Sequence, residues 1–354
     1  MRKKVLYISN IEVPYRVRFF NELAKHCDLT VLYERERSSN RDAAWAKSEN
    51  QLCKKKYLRG IKVGDERAFS FGILKEVLSG YDVIIIGCYN TPVQMMAILF
   101  MRLLRIPYIL NTDGETFLVP EEFKTKIKRF FLKGADKYLI AGEKSAQTLA
   151  PAVNGKQITP YYFSSLSESE IVAHSSGEAS QKRNDTILVV GQYFDYKGMD
   201  IALKAAQMDQ TLRYKFVGMG GRTQQFIQDH VDQIPDNVEI IPFLQKEQLE
   251  EEYRTCSMLV LPSRRECWGL VVNEAASFGT PIVSTWGSGA AVEFISDEFP
   301  QYLAKPGDAS DLLRCIHALR ASNDRDAYCE YLRKKSALYS IEKNVTAHIE
   351  GCGL

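Results

Sequence analysis

The chain has no cysteine pair at metal-ligand spacing, no long uncharged apolar run and almost no net charge, and each absence removes a class of function. Its eight cysteines, Cys27, Cys53, Cys88, Cys256, Cys267, Cys315, Cys329 and Cys352, are scattered. Neither a zinc site nor a disulfide framework is indicated, and reduced thiols in a cytoplasmic setting are the expectation. Five histidines show no paired spacing and read as structural or solvated. With 46 basic against 44 acidic residues the formal charge is +2, far from the basic excess that supplies most nucleic-acid affinity. The most apolar long stretch, Val93 to Leu110, carries Arg102 and Arg105, each costing about 3 kcal/mol at a bilayer centre. A buried helix over 93–104 leading into a strand is the better reading. At the N-terminus, Arg2, Lys3 and Lys4 run into Val5 to Ile8, too short an apolar segment for a signal peptide.

What is present is ordinary globular material: 354 residues, 45% hydrophobic and 25% charged, enough for about two domains. Charge is divided unevenly along it. Residues 1–165 hold 27 basic and 17 acidic side chains, a net of +10, whereas 166–354 hold 19 and 27, a net of −8. The halves should face different partners.

Short β-branched and aromatic runs alternate with helical stretches. Strands are predicted at 5–8, 29–32, 83–86, 108–110 and 138–140, with helices at 16–25, 71–78, 93–104 and 144–150. Continuous apolar strands separated by helices mark a parallel sheet covered on both faces. A polar stretch, 164–184, reads as a linker. The pattern then restarts with strands at 186–190, 214–217, 238–241, 258–261 and 281–284. The expected organisation is α/β, with Rossmann-like doubly wound domains over 1–165 and 166–330 facing a central cleft, and a closing helical segment, 331–354. That segment belongs to a tail predicted as helix from 324 to 349, and the N-terminal domain is the candidate for its packing.

The densest chemical signal is Pro262-Ser-Arg-Arg-Glu266-Cys267-Trp268-Gly269-Leu270-Val271-Val-Asn-Glu274-Ala-Ala-Ser-Phe-Gly-Thr-Pro281. A strand, a glycine turn and a helix N-terminus make an anion site, because free N–H groups and the helix dipole point at the ligand. Glu266 ahead of the helix and Glu274 inside it are acceptors for hydroxyls on different parts of one ligand. A second loop, Gly191-Gln192-Tyr-Phe-Asp-Tyr-Lys197-Gly198, places an ammonium for a phosphate. A third, Gly218-Met-Gly220-Gly221, lets backbone approach a nucleotide closely.

Over about residues 186–320 these motifs resemble retaining glycosyltransferases of family 4, which have the GT-B fold. The family's E-x7-E motif corresponds to Glu266 and Glu274, and its glycine-lysine loop to Gly191 through Gly198. The resemblance implies that Lys197 holds a donor diphosphate, Glu266 contacts the donor sugar and Glu274 binds the ribose. The Gly269, Leu270 and Val271 amides would cradle phosphate. Gly191, Gln192, Gly218, Cys267 and Trp268 complete the donor-binding set. Glu266, Lys197 and Asp113 are the candidate catalytic residues. Two departures stand out. Gln192 replaces the family's arginine, leaving Arg264, Arg265 or Arg222 as sources of the missing charge. Asn111-Thr112-Asp113-Gly114-Glu115 replaces a common histidine-bearing segment. Neither cofactor nor metal is expected, the donor itself being a nucleotide-diphosphate sugar.

Residues 121–133 read as an amphipathic helix with Lys124, Lys126, Lys128 and Arg129 on its polar side. It is either an ordinary surface helix or a contact for an anionic membrane, on the inner face of the cell membrane. The expected function is retaining sugar transfer to a saccharide acceptor, lipid-linked, in surface polysaccharide assembly. The alternatives are a nucleotide-sugar-binding protein without transfer, and a nucleotide-sugar epimerase.

Overall fold

Runs such as Val5-Leu6-Tyr7-Ile8 and Ile84-Ile85-Ile86 put apolar side chains on both faces of a strand, which is stable only where helices cover both faces. A computed structural model describes residues 2–35, 52–63, 67–114, 129–176 and 185–354. The chain divides into two compact units, Met1–Ser165 with Ile341–Leu354, and Leu166–Ser340.

Unit one contains β1 (Lys4–Ile11), β2 (Asp28–Arg35), β3 (Lys54–Tyr57), β4 (Ile61–Val63), β5 (Arg67–Phe69), β6 (Val83–Ile86), β7 (Ile109–Thr112), β8 (Lys137–Ala141) and β9 (Gln157–Tyr161). Seven of them form a parallel sheet in the order β3-β2-β1-β6-β7-β8-β9, while β4 and β5 pair antiparallel. Leu6, Ile8, Ile86, Leu110 and Tyr138 meet Val93, Ala97, Ile98 and Met101 of the helix Pro92–Leu104 in one buried cluster. That helix starts one residue before the expected 93, with Thr91 accepting from the Gln94 N–H and Pro92 in the first turn.

Unit two contains β10 (Thr186–Val190), β11 (Arg213–Val217), β12 (Val238–Ile241), β13 (Met258–Leu261), β14 (Ile282–Thr285) and β15 (Leu303–Ala304), all parallel, in the order β12-β11-β10-β13-β14-β15. The order reverses between β10 and β13. In open α/β sheets ligands sit beyond the carboxyl ends of strands at such a reversal.

Several sequence expectations need correction. β3 is Lys-Lys-Lys-Tyr, exposed at a sheet edge, so it carries no apolar run; lysines are the usual protection of an edge. β9, at the opposite edge, contains Pro160, which only an edge tolerates. The expected linker, 164–184, holds a helix, Glu168–Ser176. Ser167 and Glu170 exchange side chain to backbone bonds there as a capping box, outweighing the polar composition. The closing helical tail is two helices, Arg325–Ser336 in unit two and Ile341–Cys352 in unit one. Between them Tyr339 is buried and donates to Glu293 at 2.7 Å, so the connecting residues are held by unit two.

Candidate functional site

The reversal between β10 and β13 brings together the loops 191–198 and 262–269, which carry Lys197 and Glu266. Their side chains form an ion pair, with 21% and 15% exposure. The two loops are also joined through backbone: Tyr196 O accepts from the Arg264 N–H at 2.9 Å and from that of Arg265 at 3.2 Å. Gly198, at φ +69°, lies so close beneath Pro262 that a Cβ would stand 2.1 Å from its carbonyl oxygen. Only glycine permits that approach, and it fixes where Lys197 emerges. Arg264 makes a bidentate pair with Asp200, both bonds 2.7 Å, and a third bond to Asp195 O at 2.7 Å. On the far side of β10, Gly218 at φ +93° packs against Gly191, and Gly191 N–H donates to Val217 O at 2.9 Å.

The backbone of Glu266 is pinned as well. Its N–H donates to Gly287 O at 2.8 Å, and its carbonyl accepts from Gly289 N at 3.1 Å. Gly269, at φ +103°, begins the helix Leu270–Ser277, so the first N–H groups of that helix, including those of Leu270 and Val271, have no partner within it. Inside the helix Glu274 accepts from the buried Tyr253 hydroxyl at 3.0 Å. Burial, then the nearby Glu274 charge, push the Tyr253 phenol well above its ordinary range, so it remains a donor. Glu274 therefore has a protein partner as well as its expected role toward a ligand. Cys267 is exposed. The Trp268 indole is buried and donates to Asn273 at 2.9 Å, leaving its backbone as what it can offer a ligand.

Asp113 stands elsewhere, after β7 in unit one. It pairs with Arg16 at 2.5 Å and accepts from Tyr161 OH at 2.9 Å. Arg16 also donates to Tyr7 OH at 3.2 Å, Tyr7 donates to Asn111 at 2.5 Å, and Asn111 meets His348 Nε2 at 3.4 Å. Tyr7, Arg16, Asn111, Asp113, Tyr161 and His348 line one small cavity. Sequence reasoning took only Asp113 from this group. A signal existed: Arg16 lies on the buried stripe of its helix with Phe19, Phe20 and Leu23, and His348 shares a stripe with Ile341 and Val345. A polar side chain on an apolar stripe needs a buried partner.

Burial pushes the His348 imidazole down to about 4, and burial does the same for His174, also to about 4. The folded state thus holds both neutral, while the unfolded chain takes up their protons near pH 6.5. Between pH 6.5 and about 4 the unfolded state binds more protons, so stability should fall as pH falls. Urea midpoints measured across that window should decline. His348→Gln should flatten the slope, and a pH-independent midpoint would contradict this account.

Residues 173–336 match the family model described as Glycosyl transferases group 1. The match covers a segment of unit two, on a chain whose two parallel-sheet α/β units have the GT-B fold. Among individual proteins, an uncharacterized glycosyltransferase of Methanocaldococcus jannaschii is 27% identical over 266 residues, covering 73% of this chain and 71% of that protein. Another from Haemophilus influenzae is 30% identical over 171 residues, 45% of this chain and 46% of its own length, so this chain spans under half of it. Among solved structures, HepE of Anabaena in complex with UDP-glucose superposes with a TM-score of 0.69 at 15% identity, over 98% of this chain and 99% of that one.

Proposed function

We propose that the protein is a retaining glycosyltransferase moving a sugar from a nucleotide-diphosphate donor to a hydroxyl of a saccharide acceptor. The observation that carries the reading is the Lys197–Glu266 pair at the strand-order reversal of unit two, next to the open N-terminus of Leu270–Ser277. A diphosphate there meets an ammonium and backbone donors, Glu266 addresses the donor sugar and Glu274 a ribose hydroxyl. The chemistry asked of the protein is stabilisation of leaving-group charge by prearranged donors. Departure of the diphosphate from the face on which the acceptor enters gives retention. Asp113 serves recognition of sugar or acceptor.

UDP-sugars are the first donors to test, since the Anabaena relative is described with UDP-glucose. Incubation with a panel of nucleotide sugars should release nucleoside diphosphate, slowly to water and faster with saccharide acceptors. Anomeric configuration read by NMR distinguishes retention from inversion. Turnover is expected without added divalent metal; loss on thorough chelation, restored by one metal, would refute that part. Absence of both binding and turnover across the panel would remove the reading itself.

The acceptor we assign is lipid-linked, in assembly of a surface polysaccharide, with the enzyme docking on an anionic membrane. Support comes from the net +10 of residues 1–165 and from Arg129 and Phe130, which are exposed. Lys124, Lys126 and Lys128 lie outside the described residues. No helix among the described residues is long and apolar enough to cross a membrane. Flotation should recover the protein with anionic but not neutral liposomes, and equal recovery would count against docking.

A further inference from the structure

In the free protein the cations at the proposed donor site are few, and most are already engaged. Lys197 shares its charge with Glu266. Gln192 brings none. Of the three arginines near these loops, Arg264 is spent on Asp200 and Asp195 through three bonds, all of 2.7 Å. Releasing it for a ligand would leave the half-buried Asp200 carboxylate without its bidentate partner. Arg265 is exposed, and among the described residues no side chain orients its guanidinium.

Arg222 differs from both. It follows the Gly218–Gly221 cluster after β11, and its guanidinium lies over the Phe194 ring, 4.2 Å from the centroid. Phe194 in turn stacks on Tyr196, with centroids 5.4 Å apart and planes 16° from parallel. These rings belong to the same loop that carries Gln192 and Lys197. Among the described residues Arg222 has no carboxylate partner. A cation held over an aromatic face keeps its charge and its N–H donors available, because the ring takes up neither. The aromatic stack is thus a shelf beneath a guanidinium that has no carboxylate partner among the described residues, on the loop that carries Gln192 and Lys197.

We propose that Arg222, seated on Phe194, is the second cation of the donor-diphosphate site and stands in for the charge that Gln192 omits. This rests on the reading of unit two as the nucleotide-sugar site. Arg222 binds phosphate oxygens through its outer N–H groups, and Lys197 provides the other positive charge once diphosphate competes with Glu266 for it.

Calorimetric titration with UDP, and with uridine as the phosphate-free probe, tests the idea. Loss of a charged hydrogen bond predicts that Arg222→Ala weakens UDP about 10- to 100-fold and leaves uridine unchanged. Arg222→Lys should keep most of the affinity, Phe194→Leu should lose part of it, and Arg265→Ala should bind as the wild type does. Gln192→Arg placed in the Arg222→Ala background should recover UDP affinity. Unchanged UDP affinity in Arg222→Ala, or an equal loss for uridine, would overturn the proposal, and so would a large effect of Arg265→Ala alone. Far-UV circular dichroism melts establish that each variant is folded, and Phe194→Leu tests the shelf without removing the arginine. If wild-type protein binds no nucleoside diphosphate, the donor-site reading fails first, a result distinct from a variant that binds like the wild type.

Discussion

Glu266→Ala is expected to reduce kcat for a nucleotide-sugar donor about 100- to 1000-fold, the usual cost of removing one prearranged group that acts on charge developing in the transition state. Lys197→Ala should raise KM as well as lower kcat, because an ammonium facing diphosphate binds the donor and also meets the charge that develops as the diphosphate leaves. The two effects should not add. Each residue is the other's partner in the free protein, and both are largely buried, so removing either leaves an uncompensated charge. The double variant should therefore be less impaired than the product of the single losses, by a coupling of about 1 kcal/mol or more. Steady-state kinetics on the four proteins of this cycle reads the result directly. Wild-type kcat/KM in both single variants would show that the loops around β10 and β13 are not where the reaction occurs.

The second large effect is on stability, in unit one. Arg16 has 11% side-chain exposure and Asp113 27%, and their pair is supported by Tyr7 and Tyr161. Deleting the guanidinium leaves a carboxylate facing buried phenols with no countercharge. Such deletions cost about 3 kcal/mol, which for a unit of this size lowers the thermal midpoint by roughly 6–12 °C. Arg16→Ala should show that shift by calorimetry. Asp113→Asn should also lower the midpoint, since Arg16, the more buried partner, then lacks its countercharge even though an amide still accepts from Tyr161. The phenols reinforce the argument: burial first, then the Asp113 charge, push the Tyr161 hydroxyl well above its ordinary range, so it stays a neutral donor to the carboxylate and supplies no countercharge. An Arg16→Ala midpoint equal to that of the wild type would show that the cluster has no energetic role.

Legibility in the sequence followed physical type. Parallel strands buried on both faces announce themselves, because every residue of Val5–Ile8 or Met258–Leu261 must be apolar. Edge strands do not, since one side of β3 faces water and its lysines follow that demand. The helix Glu168–Ser176 was hidden by composition, although its Ser167–Glu170 capping signal is written in the chain. At the site, the Glu266–Glu274 frame and the glycine loop were visible because contiguous residues form them. The Lys197–Glu266 pair, the Arg264–Asp200 clamp and the seat of Arg222 were not, since each joins loops far apart in sequence.

From residue order alone come the two α/β halves, the glycine positions and the side chains able to meet a phosphate, all consequences of local periodicity and of what a backbone without Cβ can do. Tertiary structure alone decided which of those charges are already paired. It also decided that the chain's last helix carries His348 into a polar cluster with residues from its beginning. The reason is geometric: a charge's availability depends on what folding sets within a few ångströms of it, and a parallel sheet with crossovers draws those neighbours from distant stretches of the chain.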